Sequence, residues 1–139
     1  MSDSETRATV EALYGAYGWR DPGPIAALLH ENIDWVIFGP VDVFAFAGPR
    51  HGAAAVLDAL AAIAKAFQLE SYVPEIVIVE GDRAAVMADV SYKQRATGRT
   101  LRIRVADFLR VRDGRVIEFR EFFNSFDMVE KALGREIEV

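Results

Sequence analysis

Helices at the front of the chain and closely spaced strands behind them predict an α+β domain, a curved antiparallel sheet wrapped on N-terminal helices. Three observations carry that expectation. Apolar residues recur at helical spacing through 4–18 and again through 53–67. Beyond residue 72 the period falls to two, and Gly81-Asp82, Thr97-Gly98 and Asp113-Gly114 supply turn signals close enough together for a meander. The 139 residues are 52% hydrophobic and 27% charged, which suits one folded domain spanning 1–139 with its own core.

In order along the chain, Ser2 and Glu5 have capping-box spacing, and Val10, Leu13, Tyr14 and Tyr17 follow at i, i+3, i+4 and i+7. The first helix is therefore expected over 4–18 with two tyrosines on its core stripe. Asp21-Pro22 reads as a cap and a first-turn proline. The short helix it opens carries Ile25, Leu28 and Leu29 and is expected to end near His30. IDWVIF (33–38) is a β-rich run stopped by Gly39-Pro40. Residues 40–52 form a loop with room for a short strand at 43–46. Phe44 and Phe46 in that loop are unusual, and either lid a cavity or pin the loop to the core. A third helix over 53–67 places Val56, Leu60, Ile63 and Phe67 on one stripe. Strands are expected near 72–80, 84–95, 100–112 and 115–124, and a last helix over 126–133, capped by Asn124 or Ser125 and ended by Gly134.

Net charge is −5 and no run of Lys or Arg stands apart from acids, so neither nucleic acid nor an anionic membrane is an expected partner. The absence of cysteine excludes disulfides and thiol chemistry and fits a reducing compartment. No signal-peptide pattern opens the sequence and no apolar run reaches membrane length, so the expected location is cytoplasmic. No His and acid spacing suits a metal, no glycine-rich loop suits a phosphate, and no cofactor is expected.

The chemistry-bearing stretch is RVADFLRVRDGRVIEFREFF (104–123), two strands closed by a tight turn. Leu101, Ile103, Val105, Leu109 and Val111 alternate with arginines 102, 104, 110 and 112, and Asp107 falls on the apolar side. Glu121 sits likewise among Ile117, Phe119 and Phe123. A carboxylate on a core face costs several kcal/mol unless it is paired, hydrogen-bonded or protonated. A three-residue loop, Arg112-Asp113-Gly114, keeps all odd positions on one face and sets Val105 opposite Glu121. The rival two-residue Asp113-Gly114 loop slips the register, splits the apolar set and sets Asp107 opposite Arg120. The apolar pattern favours the first.

A three-residue Ala96-Thr97-Gly98 loop would add Asp89 to the cluster, opposite Val105. Diagonal neighbours lie roughly 7–8 Å apart, so three acids in an apolar cup could not all ionise cheaply. Val116 falls on the other face of the hairpin with Ala106, Phe108 and Phe122, and the outer sheet face would show Val86, Ala88, Val90, Tyr92, Ala106, Phe108 and Phe122, which is apolar enough to suggest a homodimer.

Helix, Asp-Pro helix, WVIFGP, the FAGPRHG loop, a long helix and the ADFLRVRDGRVIEFREFFNS ending together resemble the polyketide-cyclase (SnoaL-like) branch of the nuclear transport factor 2-like superfamily. The resemblance spans nearly the whole chain. It implies a cone-shaped (cystatin-like) domain whose sheet wraps a pocket, dimeric and without cofactor. In the cyclases an aspartate at the place of Asp107 serves as general acid/base. In ketosteroid isomerase an aspartate there and a tyrosine at or beside Tyr14 form an oxyanion hole, while the isomerase's base belongs where this chain has Ile37 and Phe38. In limonene-epoxide hydrolase two acids match Asp89 and Glu121, with Met87 standing where an arginine belongs.

The expected function is cofactor-free acid/base chemistry, a cyclisation, isomerisation or related lyase step, on an apolar carbonyl-bearing molecule. Asp107 would move the proton, Tyr14 would bond the oxyanion, and Asp89 or Glu121 would assist. Tyr17, Trp35, Phe38, Phe44, Phe46, His51, Met87, Phe119 and Phe123 would line the pocket. The alternatives are a non-catalytic binder of a hydrophobic ligand or accessory dimeric module, and an epoxide-hydrolase-like enzyme. An open cavity with the acids at its wall favours chemistry, whereas a cup filled by Phe44, Phe46 and Trp35 favours binding alone.

Overall fold

The computed structural model describes residues 2–18 and 22–139. Among the described residues, four helices and a curved six-stranded sheet make an α+β fold. The elements run α1 (Asp3–Ala16), α2 (Gly23–Ala26), β1 (Leu29–Phe38), β2 (Gly48–His51), α3 (Ala53–Ala66), β3 (Phe67–Glu80), β4 (Arg83–Gln94), β5 (Thr100–Arg112), β6 (Arg115–Phe123) and α4 (Ser125–Leu133). The strand order is β2-β1-β6-β5-β4-β3, antiparallel except where β1 lies parallel to β6. That parallel pair brings the first strand against the last.

The ends of α1 and α4 obey their local chemistry. Ser2 caps α1 and completes the capping box with Glu5. Two further bonds fix the same end: Thr6 Oγ1 donates to Gly81 O at 2.6 Å, and Gly81 N donates to Asp3 Oδ1 at 2.7 Å. Asn124 caps α4, and Gly134 ends it in the left-handed conformation at φ 71°.

Several expectations need correction. α2 is a single turn, and His30 lies in β1, with Nδ1 accepting from Asn32 N at 3.0 Å, rather than at a helix end. Pro22 stands at the N-cap of α2, and Asp21 lies outside the described residues. The short strand of the 40–52 loop is Gly48–His51 instead of 43–46, because the backbone at Val43 and Phe44 turns back to bond Pro40 O. Phe44 and Phe46 are buried against each other with ring centroids 5.2 Å apart, so they pin the loop to the core.

The register of the two hairpins decides the site. At β5–β6 the loop is the two-residue one, with Asp113 at φ 52° and Gly114 at φ 73°, as a type I′ turn requires. Arg112 faces Arg115 and Val111 faces Val116. A bulge then places the extra residue, Ile117, on β6, and beyond it Arg110 faces Glu118 and Leu109 faces Phe119. The turn shifts the pairing by one residue from the three-residue-loop register and the bulge shifts it by one more, and a shift of two restores the inward face. Asp107 therefore lies directly opposite Glu121, not Arg120, and Val105 lies opposite Phe123. Val116, expected outside, is fully buried.

At β4–β5 the loop holds four residues, 95–98, closed by Gln94 N donating to Arg99 O at 2.8 Å. Asp89 consequently faces Arg104, and Ala88 faces Val105. This one-residue offset reverses the expected faces of β4. Val86, Ala88, Val90 and Tyr92 point into the core, and Met87 and Asp89 point away from it. The outer face keeps Phe108 and Phe122, joined by Phe38.

Candidate functional site

Between the sheet and the helices lies a cavity of about 50 Å³, room for roughly three to five waters. Its floor is Trp35 stacked on Phe119, ring centroids 3.9 Å apart, which follows from their direct pairing across β1 and β6. Its walls include Leu13, Ile25, Ile37, Phe46, Ile103, Val105, Phe123 and Met128. Into this greasy space project Tyr14 and Tyr17 from α1, Tyr72 from β3, Tyr92 from β4 and Glu121 from β6. All four tyrosines of the chain meet here.

Asp107 sits behind Glu121 with no exposed surface. Its Oδ2 accepts from the Tyr14 hydroxyl at 2.6 Å and from the Tyr72 hydroxyl at 3.2 Å. Among the described residues, its Oδ1 has no N–H or hydroxyl donor. The Glu121 carboxyl beside it supplies a proton there only in its acid form, and then makes the hydrogen bond that two carboxylates could not. Burial pushes Asp107 up to about 6, held from rising further by bonds from Glu121, Tyr14 and Tyr72. Burial, and then the charge of Asp107, raises Glu121 well above the usual carboxyl range. The pair thus holds one proton at neutral pH, resting on Glu121. Glu121 keeps some accessible surface, but that surface faces the cavity.

Tyr17 and Tyr92 share a second hydrogen bond of 2.7 Å between their hydroxyls. One of the two must donate, which leaves the other's proton free for a ligand. Burial is the first cause raising all four phenols, so each is a neutral donor. The Trp35 indole N–H is buried without a partner among the described residues.

Of the residues expected from the sequence, Tyr14, Tyr17, Trp35, Phe46, Phe119, Glu121 and Phe123 do line the cavity, and Asp107 backs it. Four do not. Asp89 is outside, its carboxylate held by Arg102 through Nε at 3.2 Å and through Nη2, which lowers it below the usual range. Met87 shares that outer face. Phe38 stacks on Phe122 outside, ring centroids 4.5 Å apart. His51 bonds Asp34 at 2.8 Å on the exposed side of β1–β2, because Asp34 alternates with the inward Trp35. Phe44 is buried behind the wall, tilted on Phe123 and stacked on Phe46. The role expected for Tyr14 also changes, since its proton is committed to Asp107.

Sequence reasoning missed Tyr72 and misplaced Tyr92. Tyr72 lies on β3, where two register shifts and Pro74 hide the alternation. Tyr92 follows from the four-residue loop. Among the described residues, no group of three or more His, Cys, Asp and Glu could hold a metal ion. None of their helices is long and apolar enough to cross a membrane.

A sheet coned around a pocket, with helices across its mouth, defines the nuclear transport factor 2-like fold. Within it the chain belongs to the SnoaL-like family, whose domain matches residues 10–119. A candidate isomerase from Rhodopseudomonas palustris is 36% identical, with a TM-score of 0.86, 97% of this chain covered and 100% of the other. At 19% identity a SnoaL-like polyketide cyclase candidate from Jannaschia sp. shares the fold, TM-score 0.79, over 93% of this chain and 92% of its own. TerC, co-crystallised with polyporic acid, does so at 21% identity, TM-score 0.79, over 91% and 96%. No protein among the curated ones matches the chain.

Proposed function

We propose that the protein is a cofactor-independent enzyme that moves a proton on an apolar, carbonyl-bearing small molecule, as in an isomerisation, a cyclisation or a related lyase step. One observation carries this reading: Glu121 presents a carboxyl to an apolar cavity while Asp107, wholly buried, stands behind it with an oxygen that has no other donor among the described residues. Structural relatives named as isomerase and cyclase candidates support it.

The pair works as a relay. The cavity-facing oxygen of Glu121 takes the proton α to the carbonyl, and its acid proton passes to Asp107 Oδ1. The C–H electron pair becomes an enolate, whose oxygen accepts the spare hydroxyl proton of Tyr17 and Tyr92. Returning the proton to another carbon regenerates the pair; where the enolate carbon instead closes a ring on a second carbonyl of the substrate, the alkoxide so formed takes that proton and regenerates it. The strength of the base is set by Asp107, pushed up to about 6, within reach of neutral pH.

The test is deuterium exchange α to the carbonyl of a panel of aryl ketones, followed by NMR in heavy water. The native protein is expected to accelerate exchange and Glu121→Gln to return it to the buffer rate. Binding by calorimetry without acceleration for any of them would leave the second reading, a non-catalytic ligand binder. The small cavity and the saturated Oδ2 of Asp107 favour that reading. A structural relative in complex with trimethylamine shows that this fold also holds small ligands.

The outer sheet face supports a homodimer. Phe38, Phe122, Ala106, Met87 and Ile76 are successive register partners across five strands. Phe38, Phe122 and Ile76 are 44%, 47% and 46% exposed, an apolar stripe that a second copy would cover.

A further inference from the structure

The inner cavity does not stand alone. A cleft of about 920 Å³ opens between the end of α1, α2 and α3, and shares the side chains of Tyr17, Ile25, Leu60, Ile63, Phe67 and Tyr92 with it. Those six are the shared boundary, or neck, between a small acid-bearing chamber and a wide outer one. Beyond the neck the character changes. Lys65 lines the cleft from the last turn of α3, and Arg95 reaches the same place from the end of β4. Arg95 is held in position by Nε donating to Ala64 O at 2.9 Å and by its own backbone N donating to Ala66 O at 3.0 Å. Neither cation has an acid partner within ion-pair distance among the described residues. Asp58, the one acid among the described residues that line this cleft, sits two helical turns before Lys65, about 10 Å away along the axis. The carbonyls at the end of α3 account for a cation there in part. They do not account for two, one of them fixed in place, lining a cleft that abuts the acid-bearing chamber.

We propose that the cleft is a second part of the binding site, and that it takes the anionic tail of an elongated ligand whose apolar carbonyl head passes the neck toward Glu121. The ligand class is an aryl or alkyl ketone carrying a carboxylate, or a comparable anion, several bonds from the carbonyl. This deepens the reading above and rests on the same cavity. It explains how a chamber of about 50 Å³ can serve a larger molecule, since only the reacting end has to enter it.

The probes are 4-(2-naphthyl)-4-oxobutanoate and its neutral primary amide, titrated into the full chain by calorimetry. Two exposed charge contacts predict that the carboxylate binds about threefold to tenfold more tightly than the amide. The preference should shrink as sodium chloride is raised. It should fall in Lys65→Gln and vanish in the double variant K65Q/R95Q, with circular dichroism and amide affinity as the controls for folding. Equal affinities, a preference indifferent to salt, or no binding of either probe would overturn the proposal. Glu121→Gln separates the two ideas. Carboxylate preference retained there, with no α-exchange in the native protein, would sink the catalytic reading and leave the cleft assignment standing.

Discussion

Replacing Asp107 by Asn should make the protein more stable at neutral pH, although it removes a fully buried polar side chain that three partners contact. Asn mimics the neutral acid. It can accept from Tyr14 and Tyr72 through its oxygen and donate through its amide to Glu121. What it lacks is the charge. The folded state raises Asp107 from 3.8 to about 6. At 1.36 kcal/mol per unit, ionising it inside the fold costs about 3 kcal/mol more than ionising it in the unfolded chain. The sign follows from proton counting. Between 3.8 and about 6 the folded state holds more protons than the unfolded one, so stability falls as pH rises through that window. Below the window the native chain and Asp107→Asn should be equally stable. Above it the variant should gain about 3 kcal/mol, or about 10 °C in Tm for a domain of this size. Urea melts at pH 4, 5, 6 and 8 measure it. A variant less stable than the native chain at pH 8, or a difference that does not change with pH, would refute the reasoning. It would mean that the carboxylate is comfortable where it sits.

Other outcomes follow from the same geometry. Tyr72→Phe removes one donor from Asp107 Oδ2, so the Asp107 carboxyl, followed by carbon-detected NMR, should titrate above its native midpoint of about 6. Asp89→Asn should leave α-proton exchange unchanged and barely move the midpoint of a urea melt, because it loses only an exposed pairing with Arg102. Phe119→Ala removes the partner of the Trp35 stack and should cost about 3–5 kcal/mol by the same melt. Phe122→Glu places a charge in the middle of the outer stripe and should shift sedimentation from dimer to monomer without altering the circular dichroism spectrum.

The strands were legible because period two and glycine-bearing turns are local signals, and the positions of Asp107 and Glu121 among apolar neighbours marked the site. What the sequence hid were offsets of a single residue. Ala96-Thr97-Gly98 reads as a three-residue loop, yet Arg95 belongs to it as well, and that one residue turns Asp89 outward and Tyr92 inward. The Asp113-Gly114 turn and the Ile117 bulge each shift the register by one residue in the same direction, and two such shifts make one strand period, so the predicted face was right although the predicted turn and partners were not. Val116 and Ile117 are both apolar, and nothing in their order says which of them is the extra residue. Tyr72 was hidden for a related reason, since an edge strand with Pro74 and two irregularities has no dependable alternation.

The parallel contact of β1 with β6 has a consequence for how the protein comes into being. Tyr14 and Asp107 are 93 residues apart, and Trp35 meets its stacking partner only when Phe119 has been made. On the ribosome, α1 and β1 must therefore wait with their greasy faces uncovered while most of the chain is still to come. Pairings this distant are slow to nucleate, which puts refolding toward the millisecond-to-second end of the range for small domains. The acid chamber is assembled from both ends of the polypeptide, so it is among the last parts of the molecule to close.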